Sequence, residues 1–330
     1  MLRTIGFALL LGISFSSLST TVLVAADKPA AKPAAKPVAK PTGTPARIDT
    51  PTEADVAYGP HPKQIIDFYQ AKSEQPTPVV FYIHGGGWRG GSKNNFGARA
   101  YLAEGISVVA VEYRFVQEAG DTTPPVKAPL HDAARALQFV RSKAKEWNID
   151  KTRIGATGGS AGACSSLWLA FHGDLADPKS DDPVARESTR LLCAAVSGAQ
   201  TSLDPQQIKE WMPNGTYGAH AFFPTADGAK IPGFAAWLEQ REKLMPWINE
   251  YSPYALVTAD DSPVALFYNA PPAMGQETKD PTHSANYGLP LQEKCKSVGV
   301  DCQLIYPEKA GEAAATTVHS YLIEKLTGKK

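Results

Sequence analysis

Two short stretches of this chain carry residues that could do covalent chemistry. Gly158-Gly159-Ser160-Ala161-Gly162 fits Gly-x-Ser-x-Gly. In that pattern a serine sits on a strained strand-to-helix turn, and the flanking glycines let neighbouring backbone pass without a Cβ clash. The N-terminus of the following helix favours negative charge, so an oxyanion beside Ser160 would be stabilised there, with the Ala161 amide as one donor. His84-Gly85-Gly86-Gly87-Trp88 is the second stretch. Consecutive glycines let backbone N–H groups turn toward a ligand, and a tetrahedral oxyanion needs two such donors. A phosphate cradle would instead need a Gly-Lys-Ser/Thr ending or a helix opened by GxGxxG, and neither is present. His84 reads as an organiser of its loop rather than a base. The chemistry that joins these parts is acyl transfer through a serine.

The elements needed to position them are legible around them. Strand candidates are Ile65 to Phe68, Val79 to His84, Val108 to Tyr113, Ile154 to Thr157, Ala194 to Ser197, Val264 to Tyr268 and Gln303 to Tyr306. Several are nearly continuous in β-branched and aromatic residues, as strands buried on both faces should be. Helical patterns over Leu130 to Trp147, Ala161 to Phe171, Leu289 to Ser297 and Thr317 to Leu326 alternate with them. The alternation predicts an α/β fold with a mostly parallel sheet covered on both faces, and a site at the carboxyl ends of its strands. Residues 205–254 are less regular and rich in aromatics. They form an insertion that either roofs a pocket or packs against the sheet.

With the motifs in this order, the sequence resembles the α/β-hydrolase superfamily, in particular its secreted esterase/lipase branch with an HGGGW oxyanion loop. That branch includes carboxylesterases and feruloyl- or acetyl-xylan-esterase-like proteins. The resemblance covers most of residues 62–330. It rests on His84 to Trp88, Val111-Glu112-Tyr113-Arg114, Asp132 at the start of a long helix, and Asp150 to Ile154 leading into Gly158 to Gly162. It implies Ser160 as the nucleophile and the amides of Gly86, Gly87 and Ala161 as oxyanion donors.

The last third departs from the family pattern. A Gly-Asp-x-Asp turn should follow the strand ending at Tyr268, but Asn269-Ala270-Pro271-Pro272 stands there. Asp280, which precedes a helix as the family's acid does, is the candidate orienting carboxylate. It would equally serve as an N-terminal cap. The family's histidine follows the last strand, and Glu312 occupies that place. A serine hydroxyl is a weak nucleophile without an adjacent base, and a glutamate of ordinary pKa is a poor substitute. His319, seven positions later, and His283, three after Asp280, are the candidate replacements, with surface or capping roles as the alternative for each. His220, in the insertion, could at most touch substrate. Two readings therefore stay open: a hydrolase of carboxylic esters, on small molecules or polysaccharide, or a weak or inactive hydrolase-fold binding protein.

Bulk properties narrow the remainder. The 330 residues and 43% hydrophobic content suit one large domain. Lys plus Arg and Asp plus Glu both number 33, so no basic field is available to gather nucleic acid. Arg3, the apolar run Ile5 to Phe15 and the small residues Val24-Ala25-Ala26 read as a cleaved signal segment, 1–26, with export to the periplasm or outside the cell. No later run is long and apolar enough to span a bilayer. Residues 27–45 repeat Lys-Pro at 28, 32, 36 and 40, which predicts an extended spacer, and its lysines could also touch an anionic envelope surface. The folded domain is expected over 46–330. Cys164, Cys193, Cys295 and Cys302 fit either buried thiols or disulfides, with Cys295 and Cys302 as a conceivable pair. No spacing suggests a metal, and no motif suggests an organic cofactor.

Overall fold

The computed structural model describes residues 46–223, 230–307 and 316–329. The expected signal segment and spacer, and Glu312, lie outside the described residues. Eight strands form one sheet in the order β1-β2-β4-β3-β5-β6-β7-β8. They are β1 (Glu53–Ala57), β2 (Ile65–Tyr69), β3 (Thr77–Ile83), β4 (Ser107–Val111), β5 (Ile149–Gly159), β6 (Cys193–Ser197), β7 (Val264–Phe267) and β8 (Cys302–Ile305). The β1–β2 and β2–β4 pairs are antiparallel, and every pair from β4 onward to β8 is parallel. Helices α1 (Arg99–Ala103), α2 (Lys127–Ser142), α3 (Ala161–Phe171), α8 (Gly288–Val298) and α9 (Val318–Thr327) cover the sheet. The insertion holds α4 (Pro205–Trp211), α5 (Phe234–Glu239) and α6 (Arg241–Tyr251), with α7 (Pro253–Leu256) following at its end.

The strand sequences explain this layering. Successive strand residues point to opposite faces. Val79, Phe81 and Ile83 of β3 enter the core shared with α2 and α3, while Val80 enters the one shared with α1 and α9. In β4, Val109 and Val111 take the first face and Val108 and Ala110 the second. Every one of these side chains is fully buried, and each large one contributes about 1.5–3 kcal/mol. A strand apolar on both faces must be covered on both, which is why crossover helices flank it. β1 was not expected: its sequence Glu-Ala-Asp-Val-Ala is polar, and it lies at the sheet edge, half exposed. Most aromatics of the insertion are packing groups. Trp237, Phe222 and Tyr251 are buried in the same core as α3.

All four cysteines are free thiols, with Cys164, Cys193 and Cys295 buried and Cys302 half-buried. Cys295 and Cys302 do meet, as hydrogen-bonded thiols rather than a disulfide. Among the described residues, no helix is long and apolar enough to cross a membrane.

Candidate active site

Ser160 caps the N-terminus of α3 with φ 54° and ψ −123°. A non-glycine residue in that region is strained by about 1–3 kcal/mol, so the surroundings must impose it. They do so by close approach. A Cβ on Gly158 or on Gly162 would collide with the Ile83 carbonyl oxygen at the end of β3, so only glycines let β3, β5 and α3 converge here. Two backbone bonds then fix the turn: Ser160 N–H donates to the Ser197 carbonyl at 3.0 Å, and Cys164 N–H donates to the Ser160 carbonyl at 2.9 Å.

The glycine loop after β3 runs beside the serine. A Cβ on Gly85 would lie 3.5 Å from Ser160 Cβ and 2.5 Å from the Gly159 carbonyl oxygen. Gly86 (φ 111°) and Gly87 (φ 62°) adopt left-handed backbone, which is the freedom the loop requires. His84 holds this loop from beneath. Its Nδ1 is 2.8 Å from the Gly85 carbonyl oxygen and its Nε2 3.3 Å from Glu112 Oε1. Tyr113 stacks on the ring at 4.2 Å and donates its hydroxyl to the His84 carbonyl at 2.7 Å. With both nitrogens facing acceptors, His84 organises the loop. Burial alone would raise the Glu112 carboxyl, but His84 and Lys63 hold it below the ordinary range. Trp88 is fully buried, its indole N–H donating to Ser165 Oγ at 2.9 Å.

The partner of Ser160 comes from the loop after β7. His283 Nε2 lies 3.0 Å from Ser160 Oγ, and His283 Nδ1 lies 2.9 Å from Asp280 Oδ2. Both residues belong to one short turn. Asp280 caps the 3-10 turn Pro281–His283, its Oδ1 also accepting from the His283 backbone N–H at 3.3 Å. The hydrogen bond from His283 holds the Asp280 carboxyl below its usual range, despite slight burial. An ionised carboxylate at Nδ1 keeps the proton on that nitrogen and leaves Nε2 free to accept from the serine hydroxyl. Two residues that sequence reasoning passed over brace the turn. Gly198 (φ 57°) faces it, a Cβ there lying 3.2 Å from His283 Cβ, and Gln200 donates to the Thr282 carbonyl at 2.6 Å. Only the position of Gly198 just past a strand hinted at either.

His319 is not brought to Ser160. It lies in the first turn of α9, where its ring meets Tyr101 of α1 at 4.6 Å. Tyr101 belongs to the core on the α1–α9 face, whereas α3 belongs to the other face, so helix packing separates His319 from the serine. His220 stands over Gly87 beside Tyr217. Burial, then the Arg89 charge, lowers its pKa to about 4 against the opposing pull of the Gly87 backbone. A cleft of about 300 Å³ opens on the His283 side, lined among others by Ser160, Ser197, Asn269, Asp280 and His283. Among the described residues, no cluster of His, Cys, Asp and Glu converges as a metal site.

The chain is similar to known proteins. Gut esterase 1 of Caenorhabditis elegans is 35% identical over 114 residues, covering 32% of this chain and 20% of that protein. Carboxylesterase NlhH of Mycobacterium tuberculosis is 34% identical over 164 residues, covering 48% of this chain and 44% of its own. The match thus spans less than half the length of either relative. Two solved structures share the fold. An acetyl ester-xyloside bifunctional hydrolase from Caldicellulosiruptor lactoaceticus has a TM-score of 0.56 at 22% identity, over 78% of this chain and 84% of that one. The truncated form of a carbohydrate esterase from gut microbiota has a TM-score of 0.58 at 17% identity, over 84% and 95%. The fold is that of the α/β-hydrolases. The BD-FAE family model matches residues 66–270, more than half of the chain, from β2 through the glycine loop and Ser160 to the end of β7. This chain belongs to the BD-FAE family.

Proposed function

We propose that this protein is a serine hydrolase of carboxylic esters. The reading is carried by the 3.0 Å contact between Ser160 Oγ and His283 Nε2, with Asp280 behind the imidazole. Ser160 attacks the ester carbonyl while His283 takes its proton, and Asp280 stabilises the imidazolium that results. The amides of Gly86, Gly87 and Ala161 hold the oxyanion. His283 then protonates the leaving alcohol, and water attacks the acyl-enzyme with His283 again acting as base.

The alcohol side is open. Side-chain exposures of 38% for His283 and 62% for Asp280, together with the cleft beside them, leave room for a bulky alcohol such as a sugar. That supports acyl esters on polysaccharide as substrates, in line with the carbohydrate esterase and xyloside hydrolase that share the fold. The N-terminal segment supports export as the setting. The alternative, an inactive binding protein, rests on Glu312 standing where a histidine is expected and on the missing acid turn; His283 and Asp280 beside Ser160 favour the enzyme over it.

Hydrolysis of p-nitrophenyl acetate tests the proposal. The wild-type protein should turn it over steadily, and Ser160→Ala should lower kcat by about 10³-fold or more. Equal rates in the two proteins would overturn it.

A further inference from the structure

On the glycine-loop side of Ser160, two polar atoms remain that the steps above do not use. Tyr217 Oη lies 3.6 Å and His220 Nε2 3.9 Å from the point a Cβ on Gly87 would occupy. Their rings meet edge to face with centroids 4.8 Å apart. Both atoms are closed off from solvent and neither makes a full hydrogen bond among the described residues, the Gly87 backbone being the polar group that acts on the His220 ring. His220 is only 8% exposed. Buried polar atoms are ordinarily paired, and a hydroxyl and an imidazole nitrogen left over at one place mark a site that a third group completes. Trp88, packed against His220 at 5.9 Å, already donates its indole N–H to Ser165 and satisfies neither atom.

The position of this pair says what the third group belongs to. The leaving alcohol must receive its proton from His283, so it departs into the cleft lined by Asn269, Asp280 and His283. That cleft shares none of its wall with Gly87, Tyr217 or His220. The acyl group stays on Ser160, with its carbonyl oxygen at the glycine loop where Tyr217 and His220 stand. Both atoms lie within about one bond and one contact of the Gly87 backbone, so they reach only groups close to the carbonyl. Tyr217 Oη can donate to and accept from a hydroxyl, and so can a neutral imidazole in one tautomer or the other.

We infer that Tyr217 and His220 form a recognition site for the acyl group, selecting acyl chains that carry a hydroxyl near the ester carbonyl over plain alkyl chains. This rests on the ester-hydrolase reading of Ser160. A site built to hydrogen-bond a hydroxyl discriminates against the analogue lacking it, because its own polar atoms are then left unpaired. The comparison is kcat/KM for p-nitrophenyl 3-hydroxybutyrate against p-nitrophenyl butyrate, in the wild type and in Tyr217→Phe and His220→Phe. The wild type should prefer the hydroxylated ester by about tenfold or more, and the preference should shrink toward one in each variant. Tyr217→Phe retains the ring, so it reports even if His220→Phe folds poorly. A wild-type ratio near one, or a ratio unmoved in Tyr217→Phe, would overturn the inference. If neither ester is hydrolysed, the ester-hydrolase reading has failed instead. Calorimetric binding of 3-hydroxybutyrate and butyrate to Ser160→Ala then tests the site alone, with equal affinities counting against it.

Discussion

At the scale of single residues, the proposed activity turns on which histidine serves Ser160. The 3.0 Å contact supports His283 in the proposed role, and the packing of His319 against Tyr101 sets that residue apart from it. His283→Ala should therefore lower kcat on a p-nitrophenyl ester by about 10³-fold or more, while His319→Ala should leave kcat/KM within about twofold. Steady-state kinetics on the two variants separates them. Asp280→Asn should also be severe, because an amide can hold the wrong tautomer of the imidazole. Ser160 and the glycine loop were legible in the sequence because each is a local pattern whose residues contact one another through neighbouring strands. The base was legible only as one of two candidates, His283 or His319, since it lies 123 positions away on a loop with no motif of its own. The three-residue spacing from Asp280 to His283 was visible, but only the 3-10 turn explains it: one turn aims both side chains and caps itself with the acid.

At the scale of elements, the site depends on how closely β3, β5 and α3 meet. Gly162 and Gly158 both face the Ile83 carbonyl with no space for a methyl group. Gly162→Ala should push α3 away from β3, destabilising the fold by about 1–3 kcal/mol or more. Urea unfolding would measure that loss, and the displaced Ser160 should cost activity even where the variant stays folded. The α2–α3 interface offers a second test. His131 packs on Trp168, and burial, then Lys127 and His172, depress its pKa to about 4. The unfolded chain takes up that proton near 6.5 and the folded one only near 4, so stability is lost as pH falls between those values and is unaffected above them. His220, also near 4, adds a second proton with the same sign. His131→Leu should flatten the decline of Tm across this window, and an unchanged slope would count against a neutral buried His131. The strands were readable because a fully buried strand is apolar without interruption. β1 escaped because an edge strand needs to satisfy only one neighbour and tolerates Glu53 and Asp55.

At the scale of the whole molecule, Lys plus Arg and Asp plus Glu are equal in number, and several of the ionic groups pair locally. Asp67, wholly buried, is held by Lys93 at 2.7 Å and Arg47 at 2.7 Å, which ties the start of the folded domain to β2. Burial would raise the Asp67 carboxyl, yet bonds from Arg47 and Lys93 hold it below 3.8. This contribution is complete above 3.8 and disappears as pH falls below it, giving a second acid step distinct from the histidine window. Fold class and layering followed from strand-helix alternation alone, whereas the pairing of Ser160 with His283 depends on a loop excursion after β7 that alternation cannot specify.

The most direct measurement is the rate at which a fluorophosphonate labels the protein, read by mass spectrometry on the modified peptide. An activated serine should be labelled on Ser160 within minutes, with His283→Ala slowing the reaction by about 100-fold or more. Label on another residue, or equal rates in the two proteins, would contradict His283 as the base that makes Ser160 a nucleophile.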